Sequence, residues 1–229
     1  MHTAMISVFG AVLCLDRIFL QSLVSRPVVA GTLTGFFLGD IRSGLTAGAL
    51  VELLWIDYSP IGVSVPPNDT LSAVLISACT VMAGWEIGEV RNELIALSVL
   101  GLLPAALIAQ KIDVLIFRSN DRLAQAAIKD AEAGNLDGVQ RKHLFAAAKH
   151  FLYALPMIFI FSAAGTMALA KIFPVLPDTF IRTLSLVYYF LPVLGIGIAL
   201  NTINLRGMIP VLCSVFLIAG VIIDLFGKG

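Results

Sequence analysis

The sequence predicts an all-α, polytopic integral membrane protein, because of its composition and the length of its uncharged stretches. Of the 229 residues, 59% are hydrophobic and 13% are charged, whereas soluble domains carry about 25% charged residues. A soluble domain of this size could not bury so much apolar surface. The second half of the chain contains uncharged stretches near the roughly 20 residues that a membrane-spanning helix needs.

The first third of the chain contains short apolar segments separated by charges. Residues 1–10 lack a basic region, and Asp16 and Arg17 interrupt the first apolar run, so we expect no cleavable signal peptide. Most of the segments that follow are too short to span alone; they are residues 18–25, 27–39, 43–51 and 70–84. We predict re-entrant hairpins here, since irregular backbone survives at membrane depth only inside protein or beside a wet cavity.

The rest of the chain is predicted to contain spanning helices and one aqueous linker. The predicted spans are residues 94–110, 151–170, 183–205 and 207–223, which carry no charged residue. Seven of the fifteen Lys and Arg residues lie between positions 111 and 149, so the positive-inside rule predicts that this segment is cytoplasmic. We expect a helix–turn–helix that breaks at Gly134 and Asn135. The predicted domains are therefore residues 1–110, 111–149 and 150–229.

A stripe of glycines predicts close helix packing in the first third. Gly31, Gly35 and Gly39 recur every four residues, and Gly44 and Gly48 repeat the spacing, so each set lies on one helix face. Small residues allow two helix backbones to approach closely. We expect a partner membrane subunit, together with copies of this chain, to bury this face.

Glu52 is the most informative single residue for function. It lies within the apolar sequence ALVELLWI, where an ionisable group is costly and usually faces a cavity. Two interpretations stay open from the sequence alone. The carboxylate contacts a solute or an ion, or it makes a structural hydrogen bond to another helix.

Further candidate solute ligands lie after Pro66 and Pro67 and near the C-terminus. Asn68 and Asp69 precede the helix expected from residue 70. They offer capping groups, and a helix N-terminus in a cavity can also hold hydroxyls or anions. Asn201 and Asn204 adjoin two long apolar runs. Their carboxamides would suit a sugar, although a turn at the membrane interface would also explain them.

No pattern indicates catalysis, a metal or a cofactor. The three histidines, His2, His143 and His150, have no acidic or cysteine partner at a metal-ligand spacing, and we interpret them as interfacial. Neither a phosphate-binding loop nor a nucleophile elbow occurs. The net charge of zero gives no basic footprint for nucleic acid.

Several blocks resemble the IIC component of mannose/fructose/sorbose-type sugar phosphotransferase systems. They are RPVVAGTLTGFFLGD at residues 26–40, the continuation at 44–52, IGVSVPPN at 61–68, and KDAEAGNL at 129–136. The resemblance covers nearly the whole chain in the same order. Two departures stand out: Asn68 replaces an expected aspartate, with the carboxylate one place later at Asp69, and the chain stops soon after Asp224.

The resemblance implies a multi-pass permease subunit of the bacterial inner membrane that is not itself an enzyme. It would work with a IID membrane subunit, while IIA and IIB subunits would carry phosphate on histidine and phosphorylate a hexose as it enters. Membrane lipid and further copies of the chain within a hetero-complex are also expected. The sugar would contact Glu52, Asn68, Asp69, Asn201 and Asn204, with no cofactor.

Two other functions remain compatible with the sequence. An ion-gradient-driven secondary transporter of a small polar solute would use Glu52 and Asp57 as proton carriers. Such carriers often contain internal repeats, and the two halves of this chain show no convincing self-similarity. A membrane scaffold without transport activity is the third interpretation.

Overall fold

The computed structural model describes residues 1–58 and 65–203, with the side chains of 201–203 left aside. Within these residues the chain forms eight α-helices and a short 3-10 helix. The helices are α1 (His2–Asp16), α2 (Pro27–Leu38), α3 (Ile41–Trp55), α4 (Asp69–Ile87), α5 (Asn92–Leu102), α6 (Ala105–Glu132), α7 (Leu136–Ile172) and α8 (Asp178–Ile203), with the 3-10 turn at Phe173–Val175. The all-helical prediction is confirmed for the described part of the chain.

Four helical stretches are long and apolar enough to cross a membrane; they are Asp69–Ile87, Asn92–Glu132, Leu136–Val175 and Asp178–Leu200. Two of them contain the predicted spans at 94–110 and 151–170, and the last contains residues 183–200 of the span predicted at 183–205. Residues 204 and 205 and the predicted span at 207–223 lie outside the described residues. The expectation that the segment at 70–84 would be too short is wrong. It extends at both ends into α4, which has 19 residues.

α4 forms the centre of the bundle, because every residue from Thr70 to Gly84 is buried. It is covered by α1, α2, α3, α5 and α7. A helix that is apolar on all sides belongs in such a position, and three of its hydroxyl groups, those of Thr70, Ser72 and Ser77, donate to backbone carbonyls. Ser72, for example, donates to the carbonyl of Asp69 at 3.1 Å.

α2 and α3 form the predicted hairpin. α2 has 12 residues and is therefore about 18 Å long, well below the roughly 30 Å of a bilayer core. Gly39 adopts a φ of +81° at its end, a left-handed conformation that favours glycine. Asp40 then caps α3 by accepting from the backbone N–H of Ser43 at 3.0 Å.

The glycine stripe closes this hairpin. A Cβ added to Gly31 would lie 2.7 Å from the Cα of Gly48, and one added to Gly35 would lie 2.8 Å from the Cα of Gly44. The prediction of close helix packing is confirmed. The expectation that another subunit buries this face is wrong, because α2 and α3 bury it against each other.

α6 and α7 form a long antiparallel hairpin. α6 starts after a break at Pro104, runs through position 111 without interruption, and ends at Glu132. Gly134, at a φ of +69°, makes the turn predicted at that position. No residue between positions 121 and 145 is buried, so the tip projects from the bundle. The helices continue through both predicted domain boundaries, and the division into domains stays a prediction.

Candidate functional site

Four charged side chains gather where α1 and α3 end and α2 and α4 begin. They are Arg17, Arg26, Glu52 and Asp69, and we call this group the polar patch. Arg26 pairs with Glu52, and Arg17 lies 3.6 Å from the carboxylate of Asp69. The two pairs are neighbours, because Thr70, next to Asp69, donates to the carbonyl of Ser25, next to Arg26, at 2.7 Å. The hairpin topology brings these four elements together at one end of the bundle.

Glu52 joins α3 to the start of α2. One carboxylate oxygen accepts from the Arg26 guanidinium, and the other accepts from the backbone N–H of Val28 at 2.9 Å. This N–H is one of the amides that a helix start leaves without an internal partner. This contact is a structural hydrogen bond from Glu52 to another helix, as the second interpretation of Glu52 predicted. The side chain as a whole remains 16% exposed.

Asn68 is buried and its side chain is fully engaged. Its Oδ1 caps α4 by accepting from the backbone N–H of Leu71 at 3.0 Å, and its Nδ2 donates to Asp113 Oδ2 at 3.1 Å. Its backbone N–H donates to the carbonyl of Ala106 at 3.2 Å. The capping role predicted for this position is confirmed, and a direct sugar contact by Asn68 stays a prediction.

Arg17 holds the extended segment before α4 in place. Its guanidinium donates to the carbonyl of Pro67 at 3.1 Å and faces that of Pro66 at 3.4 Å. The two proline carbonyls need hydrogen-bond donors, and prolines have no N–H with which to supply them. Arg17, the residue that follows α1, supplies these donors. Asp69 is the more accessible partner, because 32% of its side chain is exposed. Of Glu52, Asn68 and Asp69, the predicted site residues whose side chains are described, it is the most exposed.

The two C-terminal candidates lie on or beyond α8. Asn201 belongs to the last turn of α8, and Asn204 lies outside the described residues. α8 packs against α3, since a Cβ on Gly195 would collide with Leu53, the neighbour of Glu52. The backbone of Asn201 lies six residues, or about 9 Å along the helix, beyond this contact.

Sequence reasoning missed Asp113 and misplaced His150. Both side chains are 4% exposed, and His150 Nε2 lies 3.9 Å from Asp113 Oδ1. The interfacial interpretation of His150 is therefore wrong, because the ring is enclosed where α6 and α7 meet. Two features of the sequence could have indicated that Asp113 and His150 are buried. Asp113 is followed by the apolar sequence VLIF, and the spacing of seven places His143 and His150 on one helix face.

The described residues contain no group of three His, Cys, Asp or Glu side chains that could hold a metal ion. Cys14 and Cys79 are buried as free thiols, as expected for small apolar residues. The polar patch instead offers two carboxylates, each fixed by a guanidinium. Carboxylates held in this way accept hydrogen bonds from hydroxyl groups and can orient a hydroxylated solute.

Comparison with known families gives a match over almost the entire chain. A family model described as the PTS system sorbose-specific IIC component matches residues 1–225. The fructose permease IIC component of Bacillus subtilis (strain 168) is 24% identical over 194 residues, covering 85% of this chain and 69% of that protein.

Two Escherichia coli (strain K12) proteins are also similar to this chain. The PTS system mannose-specific EIIC component is 25% identical over 188 residues, covering 81% of this chain and 67% of that protein. The N-acetylgalactosamine permease IIC component 1 is 28% identical over 219 residues, covering 93% of this chain and 76% of that protein.

Solved structures have the same fold. One chain, described as the structure of a membrane protein, superposes with a TM-score of 0.75 at 18% identity, covering 99% of this chain and 92% of that chain. A chain of the mannose transporter ManYZ in complex with microcin E492 superposes with a TM-score of 0.60 at 21% identity, covering 98% and 86%.

Proposed function

This chain belongs to the family of sorbose-specific IIC components, the sugar permease subunits of the phosphotransferase system, and we propose that it carries a hexose across the bacterial inner membrane. The sugar is phosphorylated by partner subunits as it enters, and this chain binds and passes it. The observation that carries the proposal is the polar patch, which lies among short and interrupted helices. In transporters such helices supply the binding site.

The position of the patch supports delivery to the cytoplasm. Asn68 contacts Asp113 on α6, and α6 then continues into the projecting hairpin that carries the basic residues. Phe19, two residues after Arg17, stacks on His143 of the same hairpin at 4.6 Å. By the positive-inside rule this end of the bundle faces the cytoplasm, where a soluble phosphoryl donor would meet the sugar.

The proposed partners follow from the separation of sugar transport, by this chain, from phosphorylation, by other subunits. We propose a IID membrane subunit, since the solved mannose transporter is a complex of ManY with ManZ, and further copies of the chain within that complex. IIA and IIB subunits would carry the phosphate. No described histidine of this chain suits that role: His150 is enclosed, and the rings of His2 and His143 pack on Trp85 and Phe19.

Within the patch, Glu52 and Asp69 are the proposed direct contacts to sugar hydroxyls. A carboxylate that accepts from a hydroxyl contributes roughly 1.5–3 kcal/mol, and both side chains are partly exposed. Asn68 is proposed to complete the site from the start of α4, and Asn201 and Asn204 from the end of α8. Arg17 and Arg26 hold the two carboxylates in position.

The test is sugar uptake by membrane vesicles that contain this chain with its IID partner. The vesicles are loaded with phosphoenolpyruvate and the soluble phosphocarriers, and the product is analysed for phosphate. We expect sugar phosphate to accumulate, with and without a protonophore. Accumulation of free sugar that requires a proton gradient would overturn the proposal in favour of an ion-driven carrier. No accumulation from any hexose would favour a scaffold.

A further inference from the structure

Five exposed side chains form one continuous face of α6. They are Leu107, Lys111, Leu115, Arg118 and Arg122, which follow one another at intervals of four, four, three and four residues. Residues at these spacings lie on the same side of a helix. We call this side the outer face of α6.

The outer face is turned away from the helices on which α6 packs. α6 lies against α7 and α4, and its buried residues include Ala109, Asp113 and Ile116. Each residue turns an α-helix by about 100°, so these three lie on the side opposite the outer face. The described part of the chain therefore leaves the outer face uncovered.

The three cations of the outer face lack a counter-ion. Lys111, Arg118 and Arg122 form neither an ion pair nor a side-chain hydrogen bond with any described residue. Arg118 and Arg122 are four residues apart, a spacing at which like charges repel each other on a helix. Asp121 is exposed but lies about 100° round the helix from Arg122. An anion from outside the chain would relieve the repulsion.

Cations between the two helices of the hairpin are engaged, in contrast. Lys142 of α7 pairs with Asp130 of α6. Lys149 of α7 donates to Asn120 Oδ1 of α6 at 2.8 Å. These contacts hold the hairpin together, whereas the cations of the outer face contribute nothing to it.

The cations lie at the depth of lipid headgroups. The candidate span Asn92–Glu132 loses its last charge before position 94, and about 20 helical residues cross the hydrocarbon core, so the core ends near position 113. Lys111 then lies about 3 Å inside the core and Arg118 about 7.5 Å outside it. The headgroup layer is roughly 5–8 Å thick. Helical side chains tilt toward the N-terminus, which is the membrane end of α6, so Arg118 and Arg122 lean back toward this layer.

We propose that the outer face of α6 binds an anionic phospholipid of the cytoplasmic leaflet. The headgroup phosphate accepts hydrogen bonds from Arg118 and Arg122, because guanidinium groups suit bidentate contact with phosphate. Lys111 extends its ammonium group to the headgroup from the membrane side. The acyl chains lie along Leu107 and Leu115, apolar contacts that a soluble anion or an acidic protein surface would not make. The site does not depend on which solute the chain transports.

The test is photocrosslinking from position 115. Leu115 is replaced by the photoreactive residue p-benzoylphenylalanine, and the chain with its IID partner is placed in bilayers of equal parts phosphatidylglycerol, which is anionic, and phosphatidylcholine, which has no net charge. Mass spectrometry then counts each lipid attached after irradiation. We expect phosphatidylglycerol to exceed phosphatidylcholine at least about fivefold, which corresponds to about 1 kcal/mol. Equal attachment would overturn the proposal, as would attachment to a peptide of the partner subunit, since a protein would then cover the face.

Two double variants test the role of the charges. Arg118→Gln with Arg122→Gln should bring the ratio of the two attached lipids close to one. Arg118→Lys with Arg122→Lys keeps both charges and should keep most of the preference. If the double glutamine variant does not assemble, Arg122→Gln alone should lower the ratio. A preference for phosphatidylglycerol that survives removal of the charges would contradict a site on this face.

Val12 provides the matched control position. It is exposed on α1, four residues before the end of that helix, at the same end of the bundle. The nearest cation along the chain, Arg17, is engaged with Asp69. The photoreactive residue at position 12 should therefore attach the two lipids in the proportion of the bilayer. The same enrichment at positions 12 and 115 would reflect general attraction of anionic lipid to the protein and would overturn the proposed site.

Discussion

The carboxylate of Glu52, near the end of α3, accepts a hydrogen bond from the backbone N–H of Val28 in the first turn of α2 at 2.9 Å. The same side chain pairs with Arg26. An acidic group at a helix start is favoured because unpaired amides and the positive end of the helix dipole meet it there. Glu52 therefore fixes the start of the α2–α3 hairpin, and its side chain remains 16% exposed.

Replacing Glu52 with glutamine should separate these two roles. Glu52→Gln retains an oxygen that can accept from Val28 but removes the charge. We expect sugar uptake to fall at least tenfold, a change of about 1.4 kcal/mol, while the protein still inserts and assembles with its partner. Glu52→Ala should lower uptake further, since the amide of Val28 and the Arg26 guanidinium then lose their acceptor.

The measurement is uptake per assembled complex. Glu86→Gln is the matched control, because Glu86 is exposed in the last turn of α4, at the opposite end of that helix from Asp69. Normal uptake by Glu52→Gln would show that the carboxylate has only a structural role.

The hydrogen bond between Asn68 and Asp113 can be tested by exchanging its partners. Asn68→Asp removes the only hydrogen-bond donor that Asp113 has among the described residues, and it places two carboxylates together. We therefore expect the stability of the protein to fall by at least roughly 1–3 kcal/mol. Adding Asp113→Asn returns an amide donor to the pair. The double variant should regain most of the lost thermal stability, and additive losses in this double-mutant cycle would contradict a direct interaction.

The glycine contact between α2 and α3 should tolerate no side chain. A Cβ on Gly35 would meet backbone atoms of Asp40 and Gly44, which cannot rotate away. Gly35→Ala should therefore destabilise the protein by about 1–3 kcal/mol, and Gly35→Leu should prevent assembly. Gly101→Ala is the control, because nothing lies within 4 Å of its added Cβ. The melting temperature of the purified protein distinguishes them, and equal values for both alanine variants would refute the close contact.

The orientation of the α6–α7 hairpin is testable with a reporter inserted at Gly134. The seven Lys and Arg residues between positions 111 and 149 favour the cytoplasmic side. A reporter that is active only in the cytoplasm should be active there. Protease cleavage at this turn from the periplasmic side of intact cells would reverse the orientation and with it the proposed direction of sugar delivery.

Much of the architecture could be predicted from the sequence. The absence of charge over 151–170 and 183–203 indicated the apolar parts of α7 and α8, because lipid excludes unpaired charge. Glycines four residues apart indicated close helix packing, and Gly134 indicated the turn between α6 and α7. These features depend on residues near one another in the chain, and composition and periodicity record such local relationships directly.

The site depended on contacts that no local pattern contains. Asn68 meets Asp113 across 45 positions of the sequence, and Glu52 meets Val28 across 24. The glycine stripe indicated that a backbone would come close but not that α3 of the same chain supplies it. Which helix covers which face is decided by packing of the whole bundle, since each buried polar group must find its partner in three dimensions. The sequence by itself therefore determined a membrane-spanning sugar permease subunit, whereas only the tertiary structure decided that Glu52 anchors a helix and that His150 is enclosed beside Asp113.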